Sequence, residues 1–190
     1  MRRIVVAISG ASGAIYGLRL LRALKETDVE VHLTISPAAE VNLKLETGMH
    51  ASDLSKLASH TYPANDLSAP IASGSFLVDG MVVVPCSTKT MASIANGFSD
   101  NLISRAADVN LKERRTLILV PRETPLNQIH LKNMLTLARA GAVILPASPG
   151  FYHAPKTIDD LVDHVVGKIL DNLRIEHNLF ERWDGAASRT

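Results

Sequence analysis

Short apolar runs along the chain alternate with stretches in which apolar residues recur every three or four positions. The first run covers residues 4–8 and has the length of a strand, and Ile15, Leu18 and Leu21 then follow a helical period. Continuously apolar strands are typical of parallel sheets, because helices cover both faces of such sheets. The same strand-then-helix order recurs at residues 30–35, 81–84, 116–120 and 142–145. The pattern therefore predicts an α/β protein with an open, three-layer parallel sheet.

Capping residues mark the helix boundaries. Ser36 and Pro37 predict the start of a helix over residues 38–47, and Gly48 its end. Thr157 caps a strongly amphipathic final helix. The other predicted helices cover residues 51–58, 100–112 and 127–140, with a short helix that ends at Ala95.

The stretch between residues 62 and 80 has neither a helical nor a strand period. Loops of this length inside a compact domain are usually functional or disordered. Ser73, Gly74 and Ser75 could supply backbone contacts to an anion, or could belong to an ordinary surface loop.

Polar and small residues follow each of the five predicted strands. The strand ends are Ser9–Gly10, Ser36, Pro85–Ser87, Pro121–Glu123 and Pro146. Because the carboxyl ends of parallel strands meet at one edge of a sheet, we expect a ligand site there.

The first of these strand ends is a turn of small residues, 10–13, that leads into a helix. Gly10 and Gly13 allow a tight turn and a close approach to a ligand, and Ser12 adds a hydroxyl group. A helix that begins here would present backbone N–H groups to a phosphate. The alternative is a turn that only packs the helix on the strand.

The sequence of the turn excludes some kinds of phosphate-containing ligand. The turn matches neither the G-x-G-x-x-G fingerprint nor the P-loop. A dinucleotide site also requires an acidic residue at the end of the second strand, where this chain has Ser36. NAD is therefore disfavoured, and a mononucleotide such as FMN fits more easily.

Other polar residues allow a functional and a structural interpretation. Ser87, Thr88 and Thr90 could form a pocket wall or act only as helix caps. Glu46 could be an ordinary exposed glutamate. Cys86 could be a nucleophile, but a buried thiol is the favoured interpretation, since no histidine has a defined relation to it.

The amino-acid composition excludes several classes of protein. The 20 basic and 19 acidic residues give a net charge of +1, which gives no indication of a nucleic-acid partner. A single cysteine excludes a disulfide framework, and the seven histidines show no metal-ligand spacing. No run has the length of a transmembrane helix and no signal peptide precedes the first strand, so we expect a cytoplasmic protein without a membrane partner. A mean hydropathy of +0.12 with 21% charged residues indicates buried subunit interfaces.

Five segments together resemble the UbiX-type flavin prenyltransferases, formerly labelled aromatic acid decarboxylase subunits. They are SGASGA at 9–14, PCSTKT at 85–90, RAADVNLKERR at 105–115, VPRETP at 120–125 and PGFYH at 149–153. The resemblance covers nearly the whole chain and implies one domain over residues 1–183, with a flexible tail at 184–190. It further implies a flavodoxin-like, Rossmann-like fold, a homododecamer, and FMN held between subunits. The implied reaction joins dimethylallyl from dimethylallyl monophosphate to the N5 and C6 atoms of reduced FMN, without a metal, and supplies prenylated FMN to a UbiD-type decarboxylase.

The resemblance also implies roles for individual residues. The implied FMN contacts are Gly10, Ala11, Ser12, Ser36, Ser87, Thr88, Lys89, Thr90 and Arg122. The implied contacts to the substrate phosphate are Ser73, Gly74, Lys112, Arg122, Tyr152 and Lys168. Ser12, Glu46 and Glu123 are implied to transfer protons and stabilise charge.

Two positions depart from the family pattern. Leu67 stands where the family often has a tryptophan, and Lys168 where it often has an arginine. Lys168 keeps the charge but cannot form a bidentate contact.

Two other functions remain open. One is an FMN-dependent decarboxylase of the cysteine-decarboxylase type, which shares the glycine-rich turn but would need a histidine that residues 81–112 lack. The other is a non-catalytic FMN carrier, which would not need Glu46, Glu123 and additional cations.

Overall fold

Six parallel strands form one sheet in the order β3-β2-β1-β4-β5-β6 in the computed structural model, which describes residues 1–183. This is the strand order of doubly wound, Rossmann-type sheets, and it confirms the predicted α/β class. The order reverses between β1 and β4, and ligands bind in such sheets at the carboxyl ends of the strands that flank this point. The strands are β1 (Arg2–Ile8), β2 (Val29–Ile35), β3 (His60–Pro63), β4 (Gly80–Cys86), β5 (Thr116–Pro121) and β6 (Val143–Ile144).

Seven α-helices cover the two faces of the sheet within the described residues, and a single 3-10 turn spans Pro70–Ala72. The predicted caps Ser36, Gly48 and Thr157 are confirmed at their helix ends. The helices are α1 (Ala14–Lys25), α2 (Pro37–Thr47), α3 (Ala51–Ser55), α4 (Thr88–Ala95), α5 (Leu102–Lys112), α6 (Gln128–Arg139) and α7 (Ile158–Leu173).

Two apolar layers enclose the sheet. Alternate residues of β1 serve different layers, with Ile4, Val6 and Ile8 in one and Val5 and Ala7 in the other. Since residues alternate between the faces of a strand, a strand buried on both sides must be apolar throughout. This is the physical reason for the continuous apolar run at the start of the chain.

The prediction for residues 62–80 was incomplete. Strand β3 (His60–Pro63) begins just before this stretch and adds a sixth, edge strand to the five expected. Only four residues long and mostly exposed, β3 has no alternating pattern that a sequence could show. The 3-10 turn at Pro70–Ala72 lies in the same stretch.

Two arginines hold the loop that follows the 3-10 turn. Nε of Arg105 donates to the carbonyl oxygen of Ala72 at 3.1 Å. The guanidinium of Arg115 donates to the carbonyl oxygens of Gly74 and Phe76 at 2.6 and 3.0 Å. Residues 72–76 are therefore anchored through their backbone to α5 and to the connection between α5 and β5.

Among residues 1–183, no helix combines the length and the apolar character that crossing a bilayer requires. The tail predicted at residues 184–190 lies outside the described residues.

Candidate functional site

A cavity of about 1120 Å³ opens at the carboxyl ends of β1, β2, β3 and β4. It lies at the point where the strand order reverses, where the sequence predicted a ligand site. Of the residues implied to contact FMN, those that line it are Gly10, Ser36, Ser87, Thr88, Lys89 and Thr90. The fold therefore brings together six of the nine implied FMN contacts.

The first residues of two helices face this cavity. Ser36 caps α2 by accepting a hydrogen bond from the N–H of Ala39 at 3.2 Å, and Ser87 caps α4 by accepting from the N–H of Thr90 at 3.2 Å. Each N-terminus carries the positive end of a helix dipole. The cavity can therefore hold an anionic group at the start of α2 or α4.

Buried hydrogen bonds fix the start of α4 to β1. The Ser9 hydroxyl donates to the carbonyl oxygen of Pro85 at 2.9 Å and accepts from the N–H of Ser87 at 2.8 Å. Ser9 is buried, so this arrangement holds the two turns in register. Ser9 was predicted only as part of the first strand end, and its position there gave no indication of this bridging role.

The N-terminus of α1 is engaged by a side chain of the same chain. The Glu46 carboxylate accepts hydrogen bonds from the N–H groups of Gly13, at 3.1 and 2.9 Å, and Ala14, at 2.8 Å. These N–H groups, which the sequence predicted would face a phosphate, therefore donate to Glu46 in this structure. The reason is that Glu46, at the end of α2, reaches the positive end of the α1 dipole. Glu46 is exposed, as the structural interpretation expected, but it has a defined partner.

Arg122 lies beside the same turn. Its Nε donates to the carbonyl oxygen of Ser12 at 2.9 Å, while the Ser12 residue itself is exposed. Burial raises the pKa of the nearby Tyr16 hydroxyl, and the charge of Arg122 partly opposes this effect. Arg122 thus ties the end of β5 to the turn after β1. Neither it nor Ala11 or Ser12 lines the large cavity.

Glu123 is the third residue implied to transfer protons or stabilise charge, and it follows Arg122 at the end of β5. It is exposed, and its Oε1 accepts a hydrogen bond from the N–H of Thr124 at 3.0 Å. The side chain is therefore held at the carboxyl edge of the sheet.

The residues implied to bind the substrate phosphate lie in three separate places. Ser73 and Gly74 lie with Lys112, since a Cβ on Gly74 would lie 2.8 Å from the Lys112 Nζ. Arg122 lies on the turn at Ser12. Tyr152 and Lys168 line a second cavity of about 390 Å³ beside β6 and α7. One chain by itself therefore does not assemble this set.

Each of the two lysines in this set has a carboxylate neighbour. Lys112 forms an ion pair with Glu113, and Lys168 Nζ lies 3.5 Å from Oδ2 of Asp171. The side chains of Lys112 and Lys168 are 48% and 49% exposed, so solvent screens both pairs and an incoming dianion can compete with them.

A histidine missing from the sequence analysis supports the second cavity. Nδ1 of His164 accepts from the N–H of Gly150 at 3.1 Å, and its Nε2 lies 3.2 Å from the Tyr152 hydroxyl. With Nδ1 as acceptor, Nε2 carries the proton and donates to the Tyr152 oxygen. The buried position of His164 on α7 gave no signal that separated it from a core residue.

Cys86 is not a nucleophile candidate. It is 1% exposed, and burial raises the pKa of its thiol to about 12, so the reactive thiolate does not form near neutral pH. The interpretation of Cys86 as a buried thiol is confirmed.

The donor set of the large cavity suits a flavin mononucleotide. Hydroxyls of Ser36, Ser87 and Thr88 and two helix N-termini suit a phosphate and a ribityl chain. The volume of the cavity is slightly above the usual range for small-molecule sites. Gly10 packs closely against α2 at the base of the cavity. A Cβ at position 10 would lie 2.6 Å from the Cβ of Ala38, so a residue with a side chain would not fit there.

Comparison with known proteins agrees with this geometry. The family described as Flavoprotein matches residues 1–170. The flavin prenyltransferase LpdB of Lactiplantibacillus plantarum is 57% identical over 186 residues, which cover 97% of this chain and 100% of that protein.

Two solved structures have the same fold at high sequence identity. One, AnUbiX (PadA1) in complex with FMN and dimethylallyl pyrophosphate, is 54% identical and superposes with a TM-score of 0.95 over 97% of this chain and 98% of that chain. The other, a dodecameric FMN-dependent Ubix-like decarboxylase from Escherichia coli, is 49% identical with a TM-score of 0.95 over 96% of this chain and 100% of that chain.

Proposed function

Because this chain belongs to the Flavoprotein family and, within it, to the UbiX-type flavin prenyltransferases, we propose that it transfers a dimethylallyl group from dimethylallyl monophosphate to reduced FMN. The bonds formed are to the N5 and C6 atoms of the flavin, and inorganic phosphate leaves. The observation that carries the proposal is the large cavity at the sheet reversal, which is lined by the first residues of two helices and by the hydroxyl residues Ser36, Ser87 and Thr88.

The chain's own residues bind and orient the flavin. Ser36 and the start of α4 hold its phosphate and ribityl groups, and Gly10 allows α2 to pack against the base of the cavity. Reduced FMN, when bound, supplies the nucleophilic atoms that accept the prenyl group. The protein supplies position, charge and the exclusion of water.

The leaving phosphate is held by side chains from more than one subunit. Three separate places on one chain carry the proposed phosphate contacts, so a neighbouring copy must complete the set. These places are Lys112 with Gly74, Arg122 at Ser12, and Tyr152 with Lys168. The dodecameric assembly of the Escherichia coli relative supports an oligomer of this kind for the present chain. Charge-assisted hydrogen bonds from these groups contribute about 1.5–3 kcal/mol each.

Three residues handle protons and charge near the turn after β1. Two backbone N–H groups hold the Glu46 carboxylate at a fixed position. In this position a carboxylate oxygen can accept a proton or stabilise a cation. The Ser12 hydroxyl and Glu123 are exposed at the same edge of the sheet and provide the further acid–base groups.

Side-chain cations take the place that magnesium has in prenyl diphosphate enzymes, which hold Mg²⁺ with acid-rich motifs. The adjacent acidic residues Asp159 and Asp160 lie at the start of α7, where the Asp160 carboxylate accepts a hydrogen bond from the N–H of the Thr157 cap. We expect wild-type activity to persist in EDTA. Loss of activity in EDTA that magnesium restores would contradict this part of the proposal.

The decisive experiment is mass spectrometry of the flavin. Purified protein is incubated anaerobically with reduced FMN and either dimethylallyl monophosphate or dimethylallyl diphosphate, and the flavin is extracted. The proposal expects a flavin heavier by one five-carbon unit, formed faster from the monophosphate. Unchanged flavin with both donors would overturn it, and preference for the diphosphate would overturn the choice of donor.

Two further measurements separate the alternatives. Titration should show tighter binding of FMN than of NAD, because the second strand ends in Ser36 rather than in an acid. Incubation with an aromatic acid and ordinary FMN should release no carbon dioxide. Release should require both a UbiD-type decarboxylase, the proposed recipient of the product, and flavin that this protein has already prenylated. Decarboxylation by the protein alone would favour the decarboxylase function.

A further inference from the structure

Three metal-binding side chains lie together on the paired strands β2 and β3, and none of them lines the cavities described above. Glu30 and His32 are two residues apart on β2, so they project from the same face of the sheet. His60 begins β3 and is the register partner of His32. The spacing of the histidines in the sequence did not indicate a metal site, because strand pairing brings these residues together.

The separations between the ligand atoms suit a small divalent cation. Glu30 Oε1 lies 3.2 Å from Nε2 of His32 and 3.2 Å from Nε2 of His60. One ligand atom from each residue lies within 4.8 Å of the others. Tetrahedral zinc with bonds of 2.0–2.1 Å separates its ligand atoms by roughly 3.3 Å. The ring of His60, which is 52% exposed, is free to adjust toward that geometry.

His32 provides independent evidence for a ligand at this position. Its side chain is 1% exposed, and its Nε2 has no hydrogen-bond partner among residues 1–183. A buried polar atom without a partner is costly, and a metal ion would satisfy it. The 3.2 Å contact to Glu30 lacks the alignment of a hydrogen bond, although its length would allow one.

The surroundings orient these side chains as outer partners do in known metal sites. Nδ1 of His32 lies 3.0 Å from the Tyr62 hydroxyl; donation from Nδ1 would leave the lone pair of Nε2 for a metal. Nε of Arg3 donates to Oε2 of Glu30 at 2.9 Å and leaves Oε1 directed at the two imidazoles. The ring of Phe76 packs edge-on against His32 and shields it from water.

We propose that Glu30, His32 and His60 bind one zinc ion, with water as the fourth ligand. Two imidazoles and one carboxylate form a ligand set that proteins use for zinc. The ion joins the short edge strand β3 to β2, and Thr61 and Tyr62 of β3 line the large cavity. Its role is therefore to hold the wall of that cavity, and it does not take part in prenyl transfer.

The test measures zinc binding to the full-length protein after treatment with a chelator and dialysis. Calorimetric titration with ZnCl₂ should show one site per chain, and Co²⁺ should give the intense visible absorption of a four-coordinate site. The main variant is His60→Ala, because this side chain is 52% exposed and its loss should not prevent folding. The matched control is His50→Ala, an exposed histidine outside the cluster.

Loss of an outer partner typically weakens metal affinity 10–100-fold, so His60→Ala should weaken it by at least about 100-fold. His50→Ala should bind zinc as the wild type does, and Glu30→Gln should also bind weakly. Zinc should raise the Tm of the wild type and of His50→Ala, but not of His60→Ala. Absence of saturable zinc binding, or equal binding by His60→Ala and wild type, would overturn the proposal. Loss of prenyl transfer on chelation at saturating FMN, with FMN affinity unchanged, would overturn the assignment of the ion to a role outside the reaction.

Discussion

Lys168 places an exposed ammonium group at the second cavity. Its side chain is 49% exposed beside Asp171, and its Nζ is available to a phosphate that enters next to Tyr152. A lysine, where the family often has an arginine, keeps the positive charge but cannot form the two parallel hydrogen bonds that a guanidinium makes with a phosphate.

We expect Lys168→Ala to slow prenyl transfer about 10- to 100-fold while FMN affinity stays within about twofold of the wild type. The reason is that Lys168 lies away from the large cavity and is proposed to contact the leaving phosphate, not the flavin. Steady-state kinetics and flavin titration measure the two effects, and Lys25→Ala, an exposed lysine on α1, is the control. A wild-type rate at low substrate would contradict the assignment.

Glu46→Gln should lower both the rate of transfer and thermal stability. The carboxylate accepts from two N–H groups of the α1 N-terminus, and an amide oxygen replaces these charge-assisted bonds only in part. Thermal unfolding should show a loss of about 1 kcal/mol in the free energy of unfolding, with a larger relative loss in rate. Glu176→Gln, at an exposed position after α7, should leave both quantities unchanged. Full activity in Glu46→Gln would exclude a catalytic charge at this position.

At the scale of elements, α1 packs on the sheet through a glycine. A Cβ added to Gly17 would lie 2.7 Å from the carbonyl oxygen of Val84 and 2.9 Å from Cδ1 of Ile8. The helix can approach β1 and β4 this closely only because position 17 carries no side chain.

Gly17→Ala should therefore destabilise the protein by about 1–3 kcal/mol, despite the better helix propensity of alanine. Denaturant unfolding measures the free energy, and Arg22→Ala, at an exposed position of the same helix, should change it by less than about 0.5 kcal/mol. Stabilisation by the Gly17 substitution would show that α1 can move away from the sheet at little cost.

The start of α7 should confer a pH-dependent stability. Backbone N–H groups of Lys156 and Thr157 donate to the Asp160 carboxylate and hold its pKa below the ordinary value of 3.8. A carboxyl group with a lowered pKa in the folded state stabilises the protein above its unfolded pKa. This contribution is lost as the pH falls from 3.8 through the folded pKa.

Asp160→Asn should consequently be less stable than the wild type at neutral pH, and the difference should shrink as the pH falls below about 4. Thermal unfolding across the acidic range measures both proteins. A difference in Tm that is independent of pH would show that hydrogen-bond geometry, and not charge, stabilises this helix end.

At the scale of the whole molecule, α6 exposes an apolar face that a lone chain would not need. Leu131 and Leu135, one turn apart, are 52% and 51% exposed, while Asn133 and Leu137 on the opposite face are buried; Ile129, in the first turn, is 68% exposed. Exposed apolar patches of this kind mark interaction surfaces. Together with the divided set of phosphate contacts, they support assembly of several copies.

Leu135→Glu should therefore lower the molecular mass in solution and reduce prenyl transfer by at least about tenfold, because separated subunits lack the complete set of cations. Light scattering coupled to gel filtration measures the mass. Thr136→Glu, the next exposed residue on the same helix, is the matched control for added charge. An unchanged mass in Leu135→Glu would show that α6 does not lie at a subunit interface.

The sequence by itself determined the class of fold, most helix ends and the edge of the sheet that carries the site. The physical reason is that these features depend on local patterns: continuous apolar strands, caps such as Ser36 and Thr157, and polar residues after each strand. Burial of Cys86 followed from the same reasoning. The roles of individual residues came from resemblance to a family, since spacing alone left each of them open.

Tertiary structure decided what depends on contacts between distant segments. Strand β3 became visible only through its pairing with β2, because four exposed residues carry no pattern of their own. The same pairing created the Glu30, His32 and His60 cluster. Glu46 reached the N-terminus of α1 because α2 folds back beside it, a proximity that no local rule encodes.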